Sequence, residues 1–320
     1  MFAKCRIIFI LLILLISSNK PASAFWIWTP ETNQWVNPKY SIKETPNDQL
    51  DFALGFYQAK EYDKAVAEFN KLLKHYPKAA EAAEAQYYIG LTREDQEQFY
   101  LAFKSYQVVV EKYPFSDRSV EIIKRQYEIG GKFMEGEDKR NKFVAVMTGG
   151  EYNVVDVFRT VIKNAPYGEL AAPSQYKIGL YLQGKRLYQE ARDEFEKAVN
   201  DYPDSEWAKA AKYQIAASDA KRSKGAQYDQ AITKTAVDEF KRFVERYPDA
   251  ELSDKAHDEI NQLREKDAEN NFLVAQFYEK QKKYKSAHLY YETIARDFND
   301  TSWAQKAIDR IQYLTKMRLQ

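Results

Sequence analysis

Aromatic, small and aliphatic residues return along this chain at fixed distances from a short helix-ending signal. Tyr-Pro stands at Tyr76-Pro77, Tyr113-Pro114, Tyr202-Pro203 and Tyr247-Pro248, with Ala165-Pro166 and Phe298-Asn299 as degenerate copies. Counted back from the second residue of each pair, position −8 holds Phe69, Tyr106, Phe158, Phe195, Phe240 and Tyr291. Position −12 holds Ala65, Ala102, Val154, Ala191, Ala236 and Ala287, and position −5 holds Leu72, Val109, Val161, Ala198, Phe243 and Ile294. Steps of four and three residues line one face of an α-helix, and proline cannot continue that helix. Charged neighbours of this stripe, such as Glu239 beside Phe240, are expected to face water.

A second helix is expected before each of these. Ala53, Gly90, Gly179, Ala216 and Ala275 recur ahead of the turn, and Tyr62, Phe99, Tyr188 and Tyr284 open the helix after it. Small residues where helices cross let two axes approach. The zero points lie 37, 52, 37, 45 and 51 residues apart, and the two short spacings are close to a tetratricopeptide repeat of about 34 residues. The longer ones predict insertions: a loop near 136–150, another around Ser223 to Gln227, and a long charged helix from about Ser253 to Lys280. Residues 301–318, with Trp303, Ala307, Ile308, Ile311 and Leu314, predict a last amphipathic helix that covers the open end. The pattern as a whole predicts an all-α protein, a right-handed tetratricopeptide-repeat helical solenoid of about six helix pairs plus a C-terminal capping helix.

The chain begins differently. Lys4 and Arg6 precede an apolar run from Ile7 to Ile16, and Ala22-Ser23-Ala24 follows. These are the three parts of a secretory signal, so residues 1–24 are expected to be removed and the mature chain to start at Phe25. Ten apolar residues cover only about 15 Å as a helix, half of what a bilayer core demands. Residues 25–45 are expected to form an extended aromatic arm. Trp26, Trp28 and Trp35 crowd into it, while Pro30, Pro38 and Pro46 forbid a continuous helix. Such an arm can lay its aromatics on the first helices, or dock on a partner or a membrane surface. The repeat array is expected to fill 46–320.

Composition narrows the function. The 320 residues carry 45% apolar and 15% aromatic side chains, enough for a large core despite a mean hydropathy of −0.65. A net charge of +1 gives no global field that would draw the chain to nucleic acid. Removal of 1–24 takes away Cys5 and leaves 45 basic against 47 acidic side chains. One cysteine and three histidines cannot build a Cys₄ or Cys₂His₂ metal site. The sequence has no G-x-G-x-x-G, P-loop, H-E-x-x-H or G-x-S-x-G segment. His75 falls at a helix end, where it suits carbonyl capping, and His257 and His288 lack Cys or His partners nearby in sequence. Most Asp and Glu residues sit in mixed-charge helical patterns that read as solvated faces. No enzyme activity and no cofactor are expected.

Several stretches resemble the BamD family of outer-membrane β-barrel assembly factors. Ala236, Phe240, Phe243 and Tyr247-Pro248-Asp249 look like that family's penultimate repeat ending. Leu273-Val274-Ala275-Gln276-Phe277-Tyr278, followed by Tyr284 and Ala287, looks like its last repeat. Asn164-Ala165-Pro166-Tyr167, Tyr176, Gly179, Tyr188, Ala191 and Phe195 fit a common form of these proteins. The resemblance spans about 46–318. It implies a non-catalytic scaffold, exported to the periplasm or the periplasmic face of the outer membrane. It also implies protein partners, namely a barrel-assembly protein and unfolded outer-membrane client peptides, with peripheral association to the outer membrane. The alternative is another envelope scaffold of the same fold, serving Tol-Pal and cell division or a secretion apparatus. Two departures stand out: Cys5 lies before the apolar run, so no cysteine is placed for lipidation, and six repeats stand where well-known members have five. Under this reading Phe56, Tyr57, Tyr87, Tyr88 and Arg93 are the candidates for a peptide groove. Arg264 and Lys266 are the candidates for partner contact, on a charged helix expected to project beyond the stack.

Overall fold

The computed structural model describes residues 26–29, 34–36, 41–136, 154–223 and 230–318. The expected signal segment, most of the loop near 136–150 and most of the one after Ser223 lie outside the described residues. The chain divides into two compact units, Met1–Thr92 and Arg93–Gln320.

In the first unit, strand β1 (Ile27–Thr29) pairs antiparallel with β2 (Gln34–Val36), placing Trp28 opposite Trp35. Their rings meet edge to face, with centroids 5.6 Å apart. The arm is therefore not simply extended. Alternating aromatic and β-branched residues favour a strand pair. Trp28 and Trp35 remain 41% and 62% exposed. Helix α1 (Pro46–Gln58) starts at Thr45, whose hydroxyl accepts the Asp48 N–H at 3.1 Å, with Pro46 in the first turn. Next come α2 (Tyr62–His75) and α3 (Ala80–Asp95), within which the division falls. Leu50 and Ala53 of α1 and Ala65, Phe69 and Leu72 of α2 are buried.

The second unit continues with α4 (Phe99–Lys112), α5 (Ser119–Glu135), α6 (Val154–Asn164), α7 (Ala171–Gly184) and α8 (Tyr188–Asp201). It ends with α9 (Glu206–Arg222), α10 (Gln230–Arg246), α11 (Glu251–Lys280), α12 (Tyr284–Asp297) and α13 (Trp303–Arg318). Thirteen helices are thus present among the described residues, as helix pairs and a final helix. Every residue at positions −12, −8 and −5 is buried, none more than 3% exposed.

The degenerate copies close like the others. In all six repeats the residue two past the zero point donates its N–H to the carbonyl of the residue one before it: Ala79 to Tyr76, Ser116 to Tyr113, Gly168 to Ala165, Ser205 to Tyr202, Ala250 to Tyr247 and Thr301 to Phe298, at 3.0–3.1 Å. Ala165 and Phe298 therefore stand in for tyrosine because the turn is made by backbone.

The turns inside the pairs share a feature with no composition signal. Lys60, Glu97, Arg186 and Lys282 have φ near +60°, the left-handed region that glycine favours. Behind each, the following N–H reaches five residues back: Glu61 to Phe56, Gln98 to Arg93, Leu187 to Leu182 and Lys283 to Tyr278. This is the Schellman end of a helix made without glycine.

At two of the helical glycines, Gly179 and Gly130, the −8 ring explains the residue. A Cβ on Gly179 would lie 2.5 Å from the Phe195 ring, and one on Gly130 would lie 2.8 Å from Phe158. The ring is pressed on the backbone of the preceding helix.

Helix α11, thirty residues and about 45 Å long, does not project beyond the stack. Its Ala256, Ile260 and Leu263 pack with Phe240 and Phe243 of α10 and Ala216 of α9. Its Ala268, Phe272 and Ala275 pack with Tyr291 of α12 and Leu314 of α13. Each half is claimed by a different core, which accounts for the length.

Two outcomes follow for stability. Gly179→Ala forces its methyl into the Phe195 ring and should destabilise by about 1–3 kcal/mol, whereas Gly184→Ala, with nothing within 4 Å of the added Cβ, should be neutral or stabilising. Chemical denaturation of both decides; equal effects would mean that the close approach is not tight. Arg186→Gly relieves a left-handed residue and should stabilise on the order of 0.5–1 kcal/mol. A lowered midpoint for that variant would contradict the strain.

Candidate functional site

Three of the five groove candidates, Tyr57, Tyr87 and Tyr88, come together in the first unit, with the Tyr88 ring 5.5 Å from each of the other two. The Tyr57 ring lies between Tyr62 and Tyr88, with centroids at 6.2 and 5.5 Å, and Tyr88 stacks on the buried Phe69 at 5.8 Å. Phe56 packs edge to face on Phe52 at 5.0 Å, beneath the Lys64 ammonium at 5.6 Å. Phe56, Tyr57 and Tyr88 are half-buried, so each keeps a face toward solvent. Tyr87 does not: at 2% exposure it belongs to the core. One residue along a helix turns a side chain by about 100°, which separates Tyr87 from Tyr88.

Arg93, in the second unit, is held within its own repeat. Its guanidinium donates to the Ser105 hydroxyl at 2.5 Å and the Leu101 carbonyl at 3.3 Å. Burial lowers its pKa. It is bonded to α4 within the second unit rather than presenting a free charge to a groove.

Arg264 and Lys266 are likewise engaged. Arg264 donates from Nε to Asp300 at 2.8 Å and from its terminal nitrogen to the Asp297 carbonyl at 2.8 Å and to the second Asp300 oxygen. Donating to Asp300 raises the Arg264 pKa and, in return, lowers that of Asp300. The guanidinium also lies over the Phe298 ring at 5.4 Å. It therefore ties α11 to the turn that ends α12. Lys266 donates to the Ser223 carbonyl at 2.7 Å and hydroxyl at 2.9 Å, fastening α11 to the end of α9, and burial lowers its pKa.

Other polar residues leave the solvated face that their pattern suggests. Gln49 donates to the Glu68 carbonyl and carboxylate at 3.1 and 2.9 Å, and Lys71 caps that carboxylate at 2.7 Å. Gln175, Glu194 and Lys197 repeat the arrangement at 3.0, 2.7 and 2.8 Å. Burial acts to raise the Glu194 pKa, but hydrogen bonds from Lys197 and Gln175, with the Lys197 and Arg159 charges, leave it lowered. The two triads stand at the same offsets from Pro77 and Pro203, −28, −9 and −6, so the register held this signal.

Arg192 is a second hub. It bonds Glu196 of its own helix, the buried Asp219 of α9 at 3.1 Å and Glu239 of α10 at 3.1 Å. Glu239 is thus not a water-facing residue: its side chain is 13% exposed and burial raises its pKa against the pull of Arg192. Among the described residues no cluster of three His, Cys, Asp or Glu is placed to hold a metal ion.

The bidentate Arg264–Asp300 pair generates a prediction. Arg264→Ala should lower stability by about 1–2 kcal/mol, the exposed side of the pair holding the value down. Arg264→Lys should recover only part, since an ammonium cannot match the fork. Thermal unfolding tests both; an unchanged midpoint for Arg264→Ala would return the residue to the status of a loose surface charge.

Residues 216–319 match the family described as YfiO, an outer membrane lipoprotein. Residues 50–79, 84–116 and 174–205 match the tetratricopeptide repeat. No curated protein matches the chain. Among solved structures, the C-terminal part of a tetratricopeptide-repeat protein from Cytophaga hutchinsonii is 17% identical over 85% of this chain and 88% of that one, with a TM-score of 0.35. A thermophilic repeat protein from Thermus thermophilus is 15% identical over 68% of this chain and 99% of its own, with a TM-score of 0.32. A repeat protein from Parabacteroides merdae is 12% identical over 86% of this chain and all 100% of its own, at 0.34. The chain is a tetratricopeptide-repeat protein whose residues 216–319 form a YfiO domain, that of the BamD family of outer membrane lipoproteins.

Proposed function

We propose that the protein is a non-catalytic scaffold of the periplasm that takes the part of BamD in assembling outer-membrane β-barrels. The YfiO match over residues 216–319 carries this reading. Helix pairs of the tetratricopeptide type suit it, because they present side chains in register to an extended polypeptide. Phe56, Tyr57 and Tyr88 offer half-buried aromatic faces for a client segment. The C-terminal repeats, fastened by Arg264 and Lys266, supply the surface for the barrel-assembly protein.

Export follows from the signal pattern in 1–24, with Phe25 as the mature N-terminus. No helix among the described residues is long and apolar enough to cross a membrane. Peripheral association with the outer membrane belongs to this reading, and the exposed tryptophans of the β1–β2 hairpin suit an interfacial contact.

Affinity capture of the exported chain from cross-linked envelope extract tests the reading. The expected result is a mass that starts at Phe25, co-recovery of the barrel-assembly protein, and weaker cross-linking to denatured outer-membrane clients when Tyr57 and Tyr88 are changed to Ala. Recovery of Tol-Pal components in place of the barrel-assembly protein would overturn it.

A further inference from the structure

Among the described residues, the second unit holds a cationic cleft that includes neither the Arg264 pair nor any of the groove candidates. It lies between α9 and α10, with a volume of about 390 Å³, and is lined by Lys212 and Ile215 of α9, by Glu239, Arg242, Phe243 and Arg246 of α10, and by Tyr247. Lys212 donates to the Tyr247 hydroxyl at 3.0 Å, and the Lys209 ammonium sits over the same ring at 5.1 Å. The hydrogen bond from Lys212, with the charges of Lys212 and Arg246, lowers the Tyr247 pKa. Three cations, Lys209, Lys212 and Arg246, therefore gather around one phenol, and Arg242 lines the same cleft. Among the described residues none of them has a carboxylate within hydrogen-bonding distance. The one acid in the lining, Glu239, bonds Arg192 at 3.1 Å through Oε1, the same oxygen that lies 3.9 Å from Arg242. Glu196 and Asp219 are committed to Arg192 as well. Arg242, at 70% side-chain exposure, is free to turn into the cleft.

We propose that this cleft docks an acidic segment of a partner polypeptide. Like charges held together repel, and an incoming carboxylate relieves that repulsion while forming charge-assisted hydrogen bonds to Arg242 and Arg246. The Ile215 and Phe243 side chains make part of the lining apolar. An inorganic anion would satisfy the cations and leave those surfaces wet. An extended chain whose every second residue is by turns acidic and apolar covers both, since residues i and i+2 of a strand share a face and enter together. The volume accommodates a few side chains rather than a domain. This assignment rests on reading the protein as a polypeptide-binding scaffold, and names the chemistry of one partner segment and where it sits.

The test uses the full mature chain and a short fluorescein-labelled peptide of repeated Asp-Ser-Phe-Ser units, which puts Asp and Phe on one face, with an Asn-for-Asp counterpart, followed by fluorescence anisotropy. The acidic peptide should bind, more weakly as salt is raised, and the Asn counterpart should not. Arg242→Ala and Arg246→Ala should each weaken binding about tenfold, the loss expected for one charge-assisted hydrogen bond. Arg242→Ala should leave the unfolding midpoint unchanged, so folding does not confuse the result. Equal binding of both peptides, or undiminished binding by both arginine variants, would overturn the proposal. So would displacement of the peptide by inorganic phosphate or by phosphatidylglycerol vesicles at equal charge concentration. Loss of the peptide from the Tyr57→Ala, Tyr88→Ala variant with full binding by Arg242→Ala would move the site to the aromatic cluster and leave the scaffold reading standing. A chain that captures no barrel-assembly protein yet holds the acidic peptide through Arg242 would do the reverse.

Discussion

The structure depends on one contact, repeated: an aromatic ring at position −8 set against the backbone of the helix before it. Gly130 and Gly179 make room for Phe158 and Phe195 at distances that no Cβ could share. Ala53, Ala216 and Ala275, all buried, occupy the equivalent crossings. Burying such a ring stabilises by roughly 1.5–3 kcal/mol. Its position also fixes the separation of the two axes, and with it where the flanking alanines and aliphatics at −12 and −5 must fall. A lone helix pair cannot shelter a ring on every side. The neighbouring pair completes the enclosure, as Ala256, Ile260 and Leu263 of α11 do for Phe240 and Phe243 of α10.

Polar groups reinforce the same joints. Gln49 and Gln175 each reach across a pair to a buried glutamate, bonding both its carbonyl and its carboxylate. An acid at that depth is tolerable only when fully supplied with donors, and lysine provides the last one. Arg192 carries the idea further by tying three successive helices through Glu196, Asp219 and Glu239. Such ties select one register over its neighbours more than they add to stability.

The helices and their core stripe were legible because periodicity and burial are two views of one quantity. The stripe at −12, −8 and −5 is buried throughout, including the copies without tyrosine or proline. Less was legible where a side chain's fate depends on a residue far away in sequence. Arg264 looks like any helical surface charge until Asp300, 36 positions on, is seen to meet it. Glu239 looks solvated until Arg192 is placed 47 positions earlier. Tyr87 and Tyr88 differ by one step around a helix, and the sequence alone does not say which of two adjacent tyrosines the core takes. The left-handed residues Lys60, Glu97, Arg186 and Lys282 carry no glycine to announce them, since four identical hydrogen-bonded turns hold them there.

Most pairs in this chain are joined by a turn, and a turn is a seam at which one repeat can loosen while the next stays folded. Helix α11 has no seam. Its first half is part of the core around Phe240 and its second half part of the core around Tyr291, with unbroken backbone between. It works as a strut. Fraying that starts at α13 cannot stop after one repeat without breaking a helix in its middle. A load taken up at either core reaches the other with no joint to absorb it. The end of the chain that carries the YfiO domain is in this sense one mechanical part, although the sequence writes it as two repeats.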